Sequence, residues 1–189
     1  MRAFVKKYSG GKTVLVFLIS ANFLYLLMLF LTIPEVMVYA KGMKLFDMLP
    51  TGYNLGYATT FLDTLGPDGR RVYLTHQLPV DLLYPFFSAI AYCLLMAWLF
   101  KKLNLIEKPV VYLCLIPLVA GLFDYLENFG IITMILKYPD VSTLLANTVS
   151  SFTLIKSMLS ALFFIILIIA FAIFLIKQIL TAITFNRTP

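Results

Sequence analysis

The chain has 189 residues, of which 61% are hydrophobic and only 13% are charged. A soluble domain has about a quarter charged residues, so this composition excludes an ordinary soluble enzyme and predicts one membrane domain. The net charge of +6 comes from lysines and arginines that flank apolar runs, which is typical of a topology signal and not of a nucleic-acid-binding surface. We therefore expect membrane lipids as partners and no nucleic acid.

The first predicted span covers residues 14–33, behind a basic N-terminal segment. Its apolar run is longer than the ~7–15 residues of a signal-peptide core, so we expect a retained helix and not a cleaved leader. Pro34 is predicted to end this helix because proline lacks the amide hydrogen that helix continuation needs.

Residues 35–79 form a long connection that is rich in aromatic residues. Asn54 is predicted to cap a short helix that ends near Leu65, and Pro67 is predicted to begin another. We expect a folded extracytoplasmic cap on the membrane surface, acting either as a lid or as an interfacial connector. The second helix would carry the basic residues of this cap, which are Arg70, Arg71 and His76.

Three more spans are predicted at about 80–100, 110–136 and 152–176, with short connections between them. The fold class is therefore an all-α integral membrane protein, a four-transmembrane-helix bundle with the cap between helices 1 and 2. Nine of the 15 basic residues lie in the N-terminal segment, the 101–108 connection and the C-terminal segment. Positive charge favours the cytoplasmic side, which predicts a plasma or inner membrane location with both termini cytoplasmic.

Polar residues within the spans recur at the i, i+3, i+4 and i+7 spacing, so each span has one polar face, and these faces should point inward. Buried polar residues can simply fix helix register, but intramembrane ionisable groups usually mark a functional site. Three carboxyl residues are candidates for acid–base chemistry: Asp81, Asp124 and Glu127. Six further residues are candidates for ligand binding: Tyr25, Tyr84, Ser88, Asn128, Lys156 and Ser160.

The helical rise of about 1.5 Å per residue gives each side chain an approximate depth. It places Lys156 level with Asp81 and within about one turn of Glu127. Asp124 would then lack a cation and is expected to be held protonated by Tyr25 or Ser88. The cluster is expected to open outward beneath the cap.

These features favour a pocket, open to the outer leaflet, that binds a lipid or a small cationic amphiphile and transfers protons to or from it. One alternative is a structural or accessory subunit whose polar face packs on partner helices, or a homo-oligomer. Another is a proton- or ion-coupled transporter. Four spans with intramembrane carboxylates resemble the architecture of the family of sterol isomerases and sigma-two-type receptors, which implies an acidic pocket within the bundle.

No metal or cofactor is expected. The carboxylates of Asp124 and Glu127 have the one-turn spacing of a magnesium-binding pair, but a second acidic motif opposite them is lacking. The two cysteines, Cys93 and Cys114, lie inside predicted spans without a Cys-x-x-Cys motif, which argues against redox chemistry.

Overall fold

The computed structural model describes residues 7–185, and within them it is all-helical with no strand. Its four long helices are α1 (Gly11–Met37), α2 (Leu55–Lys102), α3 (Pro109–Lys137) and α4 (Thr143–Phe185). By length and composition, each of them can cross a membrane, which confirms the prediction of four apolar helices. Arg2, Lys6 and Arg187, which contribute to the predicted orientation, lie outside the described residues.

Helix α1 continues through Pro34 to Met37, so the prediction that Pro34 ends the first span is wrong. The turn before it, Met28–Thr32, is π-helical. A proline ring clashes with the carbonyl four residues earlier, and the wider π turn makes room for it. Helix α2 repeats this arrangement, since the π turn Tyr73–Gln77 precedes Pro79.

Helix α2 begins where the sequence indicates, because the Asn54 side chain accepts a hydrogen bond of 2.8 Å from the amide of Tyr57. Gly66 breaks the helical geometry with φ 63° and ψ −178°, values in a region that glycine tolerates. Beyond Gly66 the helix runs on to Lys102, so the second predicted cap helix and the predicted span 80–100 are one element. Residues 38–54, here called the connecting segment, join α1 to α2 and contain the short 3₁₀ turn Phe46–Met48.

The last two helices also differ from their predicted bounds. Helix α3 begins with a 3₁₀ turn, Pro109–Leu115, and is α-helical over Ile116–Lys137. Helix α4 starts at Thr143, well before residue 152, so the predicted polar connection is mostly helix. The hydroxyl of Ser142 accepts a hydrogen bond of 3.2 Å from the amide of Leu145 and so caps this earlier start.

The helices pack in chain order, α1 on α2, α2 on α3 and α3 on α4, and α4 also contacts α2. Glycines allow the closest approaches: a methyl group added at Gly121 would lie 2.9 Å from the Ala89 side chain, and one at Gly130 would overlap Val149. Gly121 and Gly130 therefore permit close contact between the helices.

Two apolar clusters lie at opposite ends of the bundle. One combines the connecting segment with the start of α2, the end of α3 and the start of α4, and it includes Phe46, Phe61 and Tyr73. The other lies around Met96 and Phe100, near the opposite ends of these helices. The polar residues lie between the two clusters.

Candidate functional site

Lys156 of α4 lies between two carboxylates of α3. Its Nζ atom is 3.1 Å from Oδ1 of Asp124 and forms a closer ion pair with Oε2 of Glu127. Asp124 and Glu127 are separated by about one helical turn, so both side chains face α4. Glu127 is fully buried and accepts a hydrogen bond of 2.7 Å from the hydroxyl of Thr153. The buried cation is thus shared by two carboxylates.

This geometry confirms the expected pair of Lys156 with Glu127 and corrects the rest of the expected pairing. Asp124 has a cation partner, and the ion pairs of Lys156 in the described chain do not include Asp81. The depth estimate failed because it took 152–176 as the fourth span, whereas α4 begins at Thr143 and α3 begins with a 3₁₀ turn of larger rise.

The expected partners of Asp124 lie elsewhere. Tyr25 of α1 packs against Tyr84, with ring centroids 6.1 Å apart. The Ser88 hydroxyl points back to the carbonyl of Pro85 at 3.5 Å. Neither side chain hydrogen-bonds to the Asp124 carboxylate.

Asp81 is 6% exposed, and within residues 7–185 its carboxyl group has neither an ion pair nor a hydrogen bond. It nevertheless lies within electrostatic range of four charged groups, those of Asp47, Asp124, Glu127 and Lys156. Its backbone carbonyl accepts a hydrogen bond of 3.1 Å from the Asn128 amide, whose own oxygen is buried without a partner in the described structure. Asn128 therefore orients α2 on α3.

Asp47 is a member of this cluster that the sequence analysis missed. It lies in the 3₁₀ turn of the connecting segment, and its buried Oδ1 has no hydrogen-bond partner in the described part of the chain. Burial raises the pKa of the Asp47 carboxyl, and the nearby Lys156 cation opposes this rise. An acidic residue within the apolar run Leu45–Leu49 was the signal that could have revealed it.

The connecting segment is fixed above the cluster by α4. The amide of Tyr53 donates a hydrogen bond of 2.7 Å to the Ser150 hydroxyl, and Gly52 lies so close to Ser150 that a side chain would not fit. Gly52 also has a φ of 81°, which favours glycine. This side of the charged cluster is therefore closed by packed chain.

A cavity of about 300 Å³ opens between α2, α3 and α4 on the other side of the cluster. Asp124 and Lys156 lie at its polar end, and the aromatic rings of Phe163 and Phe164 lie at the other. A neighbouring cavity of about 260 Å³ reaches α1 and shares three residues with the first, namely Tyr84, Tyr92 and Phe164.

Five predicted site residues line the larger cavity, and Tyr25 lines the smaller one: the five are Tyr84, Ser88, Asp124, Lys156 and Ser160. Glu127, Asn128 and Asp81 are packed behind this lining. On all three helices the cavity extends away from the connecting segment, for example from Lys156 toward Phe163 on α4. The expectation that the cluster opens beneath the cap is therefore corrected.

The basic residues of the predicted cap do not contact the cluster. Arg70 donates a hydrogen bond of 2.6 Å to the carbonyl of Leu62. Arg71 forms an exposed ion pair with Asp68 at 3.4 Å, and His76 contacts Glu35 at 2.8 Å. These contacts lie at the surface of this end of the bundle, away from the cavity.

The described residues contain no group of three or more His, Cys, Asp or Glu side chains arranged to hold a metal ion. Cys93 and Cys114 are buried free thiols.

Comparisons of the chain with models of protein families, with characterised proteins and with solved structures found no significant match. Function is therefore inferred from the cavity and from the charged residues at its end.

Proposed function

We propose that this protein is a multi-pass membrane protein that binds a lipid or small amphiphile in the cavity between α2, α3 and α4. The observation that carries this proposal is the polarity of the cavity. One end presents the Asp124–Lys156 ion pair, and the rest of the wall, apart from three serines, is aromatic and apolar. A ligand with a polar head and an apolar body matches both ends.

The volume of about 300 Å³ is at the lower limit of small-molecule sites, enough for a head group and the first part of a chain. The neighbouring cavity beyond Tyr84 and Tyr92 can hold the rest of the ligand's apolar chain. Hydroxyl groups of Ser88, Ser157 and Ser160 can donate or accept hydrogen bonds to the head.

The same residues can move a proton to or from the head group. Asp124 lines the cavity, whereas Glu127 lies behind it and is joined to it through Lys156. A proton taken up by Asp124 changes the charge that Lys156 shares with Glu127, so the three groups act as one acid–base unit.

The proposed orientation places the connecting segment outside and both termini in the cytoplasm. Lys177 Nζ lies 3.4 Å from the carbonyl of Lys102, which brings the end of α4 to the basic end of α2. Gly11, at the start of α1, lies near Trp98 at this same end. One end of the bundle thus carries the basic segments.

Cysteine labelling tests this orientation in intact cells. A thiol reagent that cannot cross the membrane should label Asp68→Cys from outside, because Asp68 is exposed, and Asn104→Cys only after the cells are opened. Labelling of Asn104→Cys alone in intact cells would reverse the orientation.

Ligand binding is tested by filling the cavity. Ser160 lines it, whereas Leu162 on the same helix is 48% exposed, so Ser160→Phe and the control Leu162→Phe add aromatic bulk at different places. Native mass spectrometry of the protein from membranes should detect a bound amphiphile in the wild type and in Leu162→Phe, and lose it in Ser160→Phe. The same bound molecules in all three proteins would refute the cavity as the binding site.

A further inference from the structure

The buried cluster between the helices has more acids than bases. Asp47, Asp124 and Glu127 all lie within electrostatic range of the Asp81 carboxyl, and Lys156 is the cation among these four carboxyl residues. If all were ionised, the cluster would hold three uncompensated negative charges. A buried unpaired charge costs several kcal/mol, so these carboxyls must hold protons when the cavity is empty.

Two details show that this excess is not resolved by the protein itself. The Asp81 carboxyl is 6% exposed and unpaired among the described residues. The connecting segment contributes the acidic Asp47 to the cluster, while its own two lysines, Lys41 and Lys44, are exposed. The nearby Arg70 and Arg71 of α2 bind other groups. The missing positive charge must come from protons or from a ligand.

The cavity wall next to Asp124 is suited to a cation. Tyr84 and Tyr92 line it, and Tyr92 packs edge-to-face on Phe164 with ring centroids 5.3 Å apart. Aromatic faces attract cations, and the attraction is stronger where water is excluded. Tyr25 extends this wall into the neighbouring cavity.

We infer that the amphiphile bound by this cavity is a lipophilic monocation, and that its binding releases a proton from the carboxyl cluster. This inference rests on the proposed binding function and specifies the class of ligand. When the cationic head arrives beside Asp124, one carboxyl O–H bond breaks, its electron pair stays on the carboxylate oxygen, and the proton leaves to the aqueous phase. The net charge of the cluster together with its bound ligand is unchanged by this exchange.

The protonation of Asp124 is coupled to the charged and titratable groups that surround it. They are contributed by every neighbouring element: Lys156 from α4, Glu127 and Tyr125 from α3, Asp81, Tyr73 and Tyr84 from α2, Tyr25 from α1 through Tyr84, and Asp47 and Tyr53 from the connecting segment. Lys156 is the cation among them, so a cationic ligand meets a net acidic environment.

The test uses the full-length protein in nanodiscs of a zwitterionic lipid and two matched probes. One is dodecyltrimethylammonium, whose charge does not depend on pH, and the other is its neutral isostere with a tert-butyl head. Calorimetric titration in two buffers of different ionisation enthalpy counts the protons released.

We expect the cation to bind with release of about one proton and its affinity to rise about tenfold per pH unit over the range of that release. The neutral probe should bind at least tenfold more weakly and release none. Equal binding of both probes without proton release would overturn the inference and leave the proposed binding function standing. Failure of both probes to bind would contradict the proposed function as well.

Substitutions of the carboxyl residues test which of them releases the proton. Asp124→Asn should abolish the preference for the cation over its neutral isostere. Asp81→Asn keeps both ion pairs of Lys156 and should lower the number of released protons, which provides a test if Asp124→Asn does not fold. The control is Asp68→Asn, because Asp68 forms only an exposed pair with Arg71 and should leave the proton count unchanged. An unchanged proton count in both Asp124→Asn and Asp81→Asn would exclude these two carboxyls as its source and contradict the proposed exchange.

Discussion

The two ends of the bundle are built differently. At the end that carries the connecting segment, Phe46, Phe61 and Tyr73 are almost fully buried in one apolar cluster. At the other end, α4 is largely uncovered, and Ala170 is the one buried residue between residues 164 and 181. This stretch exposes a row of large apolar side chains, including Ile165, Ile168, Ile169, Phe171, Ile173 and Leu175.

This contrast shows how a charged cluster can be shielded from solvent at one end of the bundle and still border a cavity on the other side. One end closes over the carboxylates as the interior of a soluble domain would, by dense side-chain packing. At the other end a second apolar cluster packs around Met96 and Phe100, but α4 leaves much of its apolar surface uncovered, and the cavity lies on this side of the charged cluster. In the proposed membrane setting, an amphiphile would enter the cavity laterally from the bilayer without passing the connecting segment.

The largest effect is expected from removing the cation between the two ends. Lys156→Met should destabilise the protein by roughly 3–5 kcal/mol, because it leaves buried carboxylates without their partner. Adding Asp124→Asn or Glu127→Gln should restore part of the loss, and adding Asp81→Asn should restore less. Thermal unfolding in detergent provides the measurement, with the exposed Lys177→Met as the control. Restoration by Asp81→Asn alone would contradict the observed pairing.

A matched pair of phenylalanines tests the contrast in packing directly. Phe61 is 0% exposed at the connecting-segment end, whereas Phe171 on α4 is 48% exposed. Phe61→Ala should lower the free energy of unfolding by about 3–5 kcal/mol. Phe171→Ala should change it by only about 0.5 kcal/mol, as exposed positions usually do. Similar losses in both variants would mean that α4 is packed as tightly at Phe171 as the connecting-segment end is at Phe61.

A smaller effect is expected where α3 and α4 meet most closely. Gly130→Ala places a methyl group against Val149, and such overpacking costs roughly 1–3 kcal/mol. Val149→Ala should remove much of this cost in the double variant. The control Gly10→Ala has room, because the nearest atom to its added methyl is the Thr13 hydroxyl at 3.9 Å. If Val149→Ala restores nothing, the two helices do not touch at this position.

The smallest effect on stability is expected from Asp47, the acidic residue of the connecting segment. Because burial raises the pKa of Asp47, ionisation weakens the folded state, and stability falls as the pH rises from the unfolded-state pKa through the raised one. Asp47→Asn should remove this fall and raise the Tm at neutral pH by roughly 2–4 °C, the change that ~1 kcal/mol produces in a chain of this size. At acidic pH the two proteins should unfold at similar temperatures. A lower Tm for Asp47→Asn at neutral pH would show that ionised Asp47 stabilises the fold.

Much of the helical framework was predictable, because long apolar runs and the cap at Asn54 depend on local sequence. The pair of Lys156 with Glu127 could also be predicted, from the helical spacing of the polar residues. The ends of the helices were not predictable. A π turn allows α1 to continue past Pro34, and the Ser142 cap starts α4 among polar residues. Asp47 was missed because only the tertiary fold brings the connecting segment to Lys156.

Photo-crosslinking tests the central claim most directly, namely that the cavity beside Asp124 and Lys156 holds the amphiphile. A long-chain trimethylammonium probe with a diazirine near its head would be irradiated with the protein in nanodiscs, and the adducts mapped by peptide mass spectrometry. The account predicts adducts on cavity residues such as Tyr92 and Phe163, lost in Ser160→Phe and retained in Leu162→Phe. Adducts confined to the exposed outer face of α4, and equal in all three proteins, would contradict it.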